Sequence, residues 1–119
     1  MNKINWLPLT RLTQVEDIAR HSGQKPCVIY KHSTRCSLSS LAQNRLEKGW
    51  VLDESSVQLY FLDLIAHREV SNLVAERFGV AHQSPQLLLI RNGRCVYHAS
   101  HLDISAKGLH VYLGDGQQA

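Results

Sequence analysis

Short apolar runs and helical apolar stripes alternate along this chain. The first run, Trp6 to Leu9, alternates weakly and predicts a short strand. It leads into "TQVEDIARHSG", where Val15, Ile18 and Ala19 share one helical face. Thr13 stands as the cap of that helix, with Glu16 at the spacing of a capping box. Gly23 supplies the stop, and Pro26 forbids a return to helix.

"CVIYK", Cys27 to Lys31, is short, continuous and β-branched, which predicts a central strand buried on both faces. From Ser37 the apolar positions are Leu38, Leu41, Ala42, Leu46 and Trp50, one helical face that ends at Gly49. Val57 to Leu64 forms another near-continuous strand. Val70, Leu73, Val74 and Phe78 make a further helical stripe, stopped by Gly79. "PQLLLI" is the next strand, and Asn92-Gly93 separates it from "RCVYH", Arg94 to His98. Asn-Gly between two such runs predicts a tight hairpin, because a type I′ turn needs positive φ at both central positions. A weaker helix spans about Asp103 to Leu113, interrupted by Gly108.

The resulting order is β-α-β-α-β-α-β-β-α. Strands that alternate with helices imply an α/β fold with parallel strands, and the closing hairpin adds an antiparallel edge. The one polar gap, "DESSV", is too short to divide domains, so residues 1–119 read as a single domain with one core.

Composition narrows the function classes. Apolar content of 44% and charged content of 19% are ordinary for a globular protein. The net charge is +3, but Lys and Arg are scattered, so no nucleic-acid partner is expected. No apolar stretch reaches the ~18 residues of a membrane span. "MNKINWLPLTRLTQ" lacks the apolar segment and cleavage site of a signal peptide, so a cytoplasmic location without a membrane partner is expected.

The cysteines carry the chemistry. Cys27, Cys36 and Cys95 are odd in number and widely spaced, which does not make a disulfide framework. Cys27 and Cys95 lie inside apolar strands and read as inert packing, with a resolving role for Cys95 as the minor alternative. Cys36 differs. It stands in "KHSTRCSLSS", between a strand and a helix, where ligands sit in parallel sheets. Unpaired N–H groups and the positive dipole end of a helix favour the thiolate there. Lys31, His32 and Arg35 add positive charge nearby, and Thr34 lies in the same loop. The plain alternative is that Cys36 merely caps the helix.

Ser39 sits where the second thiol of a C-x-x-C pair would stand. A dithiol would close its own disulfide; a serine cannot, although its hydroxyl can donate to a thiolate. The other reading of Ser39, a solvated first-turn residue, is equally weighted. Seven histidines invite a metal reading, but no pair has helical i, i+4 spacing with an adjacent acid, so no metal is expected.

Three segments now resemble a known family: "YKHSTRCSLSSLAQNRLE", "LDLIAHREVSNLVAERFGVAHQSPQLLLIRNGRCVYHASH" and "INWLPLTRLTQVEDI". Together they are similar to the bacillithiol-system redox-active protein family, also called the YtxJ or monothiol bacilliredoxin family. The resemblance implies a thioredoxin-like fold with a central mixed sheet flanked by helices. It implies a monothiol thiol–disulfide oxidoreductase that removes bacillithiol from mixed disulfides on client proteins. Cys36 carries over as the nucleophile and Ser39 as its partner. Ser84-Pro85 carries over as a cis-proline loop, with Ser84 pairing to an extended substrate. Members often have proline after the cysteine; here Ser37 stands there.

The implied partners are S-bacillithiolated clients, and bacillithiol or a partner reductase to restore Cys36, with no further cofactor. Lys31 or Arg35 is the expected receptor for the carboxylates of bacillithiol. Two rival readings stand beside this one. One is an iron–sulfur carrier resembling monothiol glutaredoxins, against which Ser37-Leu38 is a poor match to Gly-Phe. The other is a non-catalytic binding module on the same scaffold.

Overall fold

A computed structural model describes residues 4–35, 37–51 and 56–118, with side chains as far as Leu113. The elements are β1 (Leu7–Pro8), α1 (Leu12–His21), β2 (Cys27–His32), α2 (Ser37–Lys48), β3 (Gln58–Asp63), α3 (Arg68–Phe78), β4 (Gln86–Arg91), β5 (Arg94–Ser100) and α4 (Ala106–Gln118). A 3-10 turn, His101–Asp103, joins β5 to α4. The sheet order is β1-β3-β2-β4-β5. β1, β3 and β2 are parallel, β4 runs antiparallel to β2, and β5 antiparallel to β4. The sheet is mixed, as expected, but the antiparallel step falls one strand earlier than the element order implied: β4, reached from β3 through α3, already runs against β2.

β2 lies in the middle, and all six of its residues are buried. Its continuous apolar run is the consequence of having helices on both faces. Val28 and Tyr30 face a core that includes Ala42 and Leu46 of α2 and Leu109 and Leu113 of α4. Cys27 and Ile29 face the opposite core, with Val15 and Ile18 of α1 and Val70 and Val74 of α3. Each fully buried aliphatic side chain contributes about 1.5–3 kcal/mol. At the hairpin, Asn92 and Gly93 have φ of 50° and 76°, both positive as the turn requires.

Some details differ from the sequence reading. α1 begins at Leu12 and its cap is Arg11, not Thr13. The Gln14 side-chain oxygen accepts from the backbone N–H groups of Thr10 and Arg11 at 2.8 and 2.9 Å. Glu16 points outward instead and accepts from Arg77 Nε of α3 at 2.9 Å. With the helix starting at Leu12, Gln14 is the side chain placed to reach back to the free donors.

In α2 the buried line is Ser39, Ala42 and Leu46, while Leu41 is 50% exposed. Steps of three and four fit two neighbouring stripes on this helix, and docking against Tyr30 selects one of them. α4 runs straight through Gly108, and Asp103 belongs to the preceding turn. A Cβ at position 108 would lie 2.9 Å from the Tyr97 hydroxyl, so the glycine admits the close approach of β5 rather than ending the helix. β5 continues past His98 to Ser100. In the "DESSV" gap, residues 53–55 lie outside the described residues. Among the described residues no helix is long and apolar enough to cross a membrane.

Candidate functional site

The register of β2 gathers the expected site residues at one end of the sheet. Lys31 pairs with Gln86 and His32 with Asp63. Residues 33–35, the approach to β4 and the end of β3 therefore meet where β2 finishes. Gln86 pairs in turn with Ser100, and the His101 N–H donates to the Pro85 carbonyl at 3.0 Å. The Ser84–Pro85 peptide is cis. Cys36 lies outside the described residues. On either side of it in the chain, Thr34, Arg35 and Ser37 are exposed, and Ser37 opens α2.

Hydrogen bonds shape the loop that leads to position 36. The Arg35 N–H donates to Ser33 Oγ at 3.3 Å, and the Ser33 N–H donates to Ser39 Oγ at 3.2 Å. The Tyr30 hydroxyl donates to the Ser39 carbonyl at 2.6 Å. Ser39 is fully buried, which overturns its reading as a solvated first-turn residue. Its oxygen accepts from Ser33, and its own proton remains to be donated.

His32 and Lys31 leave β2 on opposite faces, as alternate strand residues must. His32 is buried, with its ring centroid 5.0 Å from that of Phe61. Burial pushes its imidazole below the ordinary histidine value, with the Asp63 charge opposing. It is therefore neutral at neutral pH and does not add the positive charge that the sequence reading counted. Lys31 turns to the face of α3 and is fully buried. Its Nζ lies 3.4 Å from the Ser71 carbonyl and 3.4 Å from His82 Nδ1. With no exposed surface, Lys31 cannot receive the carboxylate of a ligand in solvent. Arg35 keeps that access.

Burial lowers the Lys31 pKa to about 8. The unfolded chain keeps the proton up to ~10.4, so between these limits it binds more protons than the native protein. Stability should thus rise with pH across this window. Urea titrations from pH 7 to 10.5 should show the rise in the wild type and a smaller one in Lys31→Met; identical slopes would contradict the burial of a titrating Lys31.

The two other cysteines sit at the far end of the sheet. Cys27 pairs with Ile90, and Ile90 with Cys95. Ile90 is four positions along β4 from Gln86, about 13 Å at strand rise. A disulfide needs Cα atoms within ~7 Å, so neither thiol is placed to bridge to the loop end. Burial pushes the Cys27 thiol up to about 11. It also raises that of Cys95, which is only partly buried; backbone hydrogen bonds oppose it. Among the described residues no group of three His, Cys, Asp or Glu side chains converges as a metal site.

Sequence reasoning missed Asp63, Ser71 and His101 as neighbours of this end. Asp63 and Ser71 carry no local signal, because strand pairing and helix docking bring them there. His101 has φ of 57°, a left-handed conformation that a non-glycine residue seldom adopts. In the sequence it is only the last residue of the second segment that carries the resemblance.

The chain matches the family described as monothiol bacilliredoxin BrxC over residues 7–109. A solved structure described as a candidate oxidoreductase with a thioredoxin fold is 28% identical, with a TM-score of 0.76 over 88% of this chain and 90% of that one. The thioredoxins of Malassezia sympodialis and Trypanosoma brucei brucei are 15% and 16% identical, with TM-scores of 0.73 and 0.74. Each alignment covers 97% of this chain and 93% of the other, a likeness of fold.

Proposed function

From the premise that this chain belongs to the monothiol bacilliredoxin family, a thioredoxin-fold redox family, we propose that it removes bacillithiol from mixed disulfides on client proteins. The observation that carries this reading is the meeting of the Ser33–Arg35 loop, the start of α2, buried Ser39 and the cis Ser84–Pro85 peptide at one sheet end. A cysteine between Arg35 and Ser37 has an exposed loop before it and a helix start after it. Helix starts stabilise thiolates.

The Cys36 thiolate attacks the bacillithiol sulfur of the mixed disulfide. The S–S bond to the client breaks, a new one forms between Cys36 and bacillithiol, and the client leaves as a thiolate that takes a proton from solvent. A second bacillithiol thiolate then attacks the adduct, releasing bacillithiol disulfide and the Cys36 thiolate. Ser84 offers backbone groups to an extended client segment. Arg35, with Thr34 beside it, faces the carboxylates of the small thiol. Ser39 donates its hydroxyl proton toward the thiolate while Ser33 holds its oxygen.

The test compares one client protein carrying either bacillithiol or glutathione. Bacillithiol should leave at least tenfold faster. Equal rates would reduce the assignment to a general thiol exchanger, and no turnover of either would remove it. Alkylation with iodoacetamide at pH 7 gives a second check. Cys36 should react well ahead of Cys27, whose thiol burial holds protonated. Peptide mapping that found Cys27 or Cys95 labelled first would overturn the choice of nucleophile.

A further inference from the structure

Lys31 is the one lysine among the buried residues described, and it faces no carboxylate among them. An apolar side chain in this central strand would pack without desolvating an ammonium. Its burial there calls for a role beyond filling space. The ammonium lies 3.4 Å from two groups, the Ser71 carbonyl of α3 and Nδ1 of His82. Ser71 Oγ lies 3.4 Å from the same Nδ1. An ammonium only donates, so Nδ1 must accept. That assigns His82 as a neutral imidazole with its proton on Nε2.

His82 belongs to the segment that runs from α3 into β4. Two residues further on come Ser84 and Pro85. The same segment is held at Ala81, whose carbonyl accepts from buried Gln86 Nε2 at 3.1 Å. Lys31 stands in β2, directly before the residues that lead to Cys36. One buried side chain thus links the strand that delivers the loop of Cys36 to the segment that delivers Ser84.

We propose that Lys31, Ser71 and His82 form a positioning cluster, in which the buried ammonium clamps the His82 imidazole and so holds Ser84 in place to pair with the client backbone. This rests on the reading of Ser84 as the client-pairing residue. Among the described residues, the three contact one another and hold the segment that carries Ser84. The cluster therefore acts on client binding and not on thiol chemistry.

The cluster has an acid limit. Burial, the Lys31 charge and the Arg68 charge of α3 all push the His82 pKa below its ordinary value. Protonation of Nδ1 places two donors face to face and opens the clamp. KM for a protein client should therefore rise on acidification below the ordinary histidine range, with the rise tracking the His82 titration followed by NMR.

The experiment measures KM and kcat, with bacillithiol as the reductant, for a bacillithiolated client and for the mixed disulfide of bacillithiol with 2-mercaptoethanol, which has no backbone to pair. The proteins are wild type, Lys31→Met, His82→Ala and His82→Asn. Lys31→Met and His82→Ala should raise the client KM about tenfold, change kcat less than twofold and leave the small disulfide unaffected. His82→Asn keeps an acceptor oxygen near the Nδ1 position but cannot titrate. It should retain the wild-type KM and lose its dependence on pH. His82 is exposed, so its variants fold even if Lys31→Met does not.

An active wild type with unchanged client KM in His82→Ala would overturn the clamp alone. Equal loss on the small disulfide would also overturn it, because the effect would then lie in the thiol. A wild type without activity on the client would overturn the functional reading, and the clamp with it.

Discussion

Cys36→Ser is expected to abolish transfer of bacillithiol, a loss on the order of a thousandfold or more, since no other group supplies the nucleophile. Cys27→Ala and Cys95→Ser should keep most of the activity. Cys27 is fully buried at the opposite end of β2, where its thiol is held protonated up to about 11. Alanine is the better substitute there, because a serine hydroxyl would be buried in an apolar core. Cys95 lies in the same distant row, paired with Ile90. The assay is release of bacillithiol from a client, followed by mass spectrometry. A Cys95→Ser protein that completes the first exchange but never turns over would make Cys95 the resolving thiol, and the one-thiol scheme would fail.

Ser39→Cys should change the product instead of the rate. Position 39 is buried, lies in the first turn of α2 and has its side-chain oxygen 3.2 Å from the Ser33 N–H, in the loop that leads to Cys36. A thiol placed there restores the C-x-x-C spacing. The adduct on Cys36 should then collapse to an intramolecular disulfide and expel bacillithiol. Intact mass after mixing with a bacillithiolated client separates the two outcomes. Wild type should gain one bacillithiol, while Ser39→Cys should lose two hydrogens and carry none. A lasting adduct on the Ser39→Cys protein would mean that the two side chains do not face each other. Ser39→Ala leaves the Ser33 N–H without its acceptor, a loss of about 1–3 kcal/mol, so its activity should be compared at a temperature where it stays folded.

Much of the fold was legible because it is written locally. The continuous apolar run at Cys27 to Lys31 requires cover on both faces, and β2 has it. The positive φ demanded by Asn92-Gly93 set the hairpin between β4 and β5. Glycines after Lys48 and Phe78 ended α2 and α3 where expected. The motif around Cys36 stood out by residue type and spacing, whereas the cis Ser84–Pro85 peptide was expected only through the family resemblance.

What the sequence determined by itself, then, was the succession of elements, the central strand, the hairpin and the family to which the motifs point. Tertiary structure alone decided which of two stripes on α2 turns inward, and with it the burial of Ser39. It also decided that Lys31 faces α3, that His32 lies against Phe61 as a neutral ring, and that Gln14, not Glu16, reaches back to cap α1. Each of those outcomes depends on a partner distant in the chain or on where a helix starts. Periodicity says that a side chain shares a face with its neighbours; it does not say what that face meets. For a charged residue the meeting decides everything, since the same lysine is a ligand receptor in solvent and a buried donor beside Ser71 and His82.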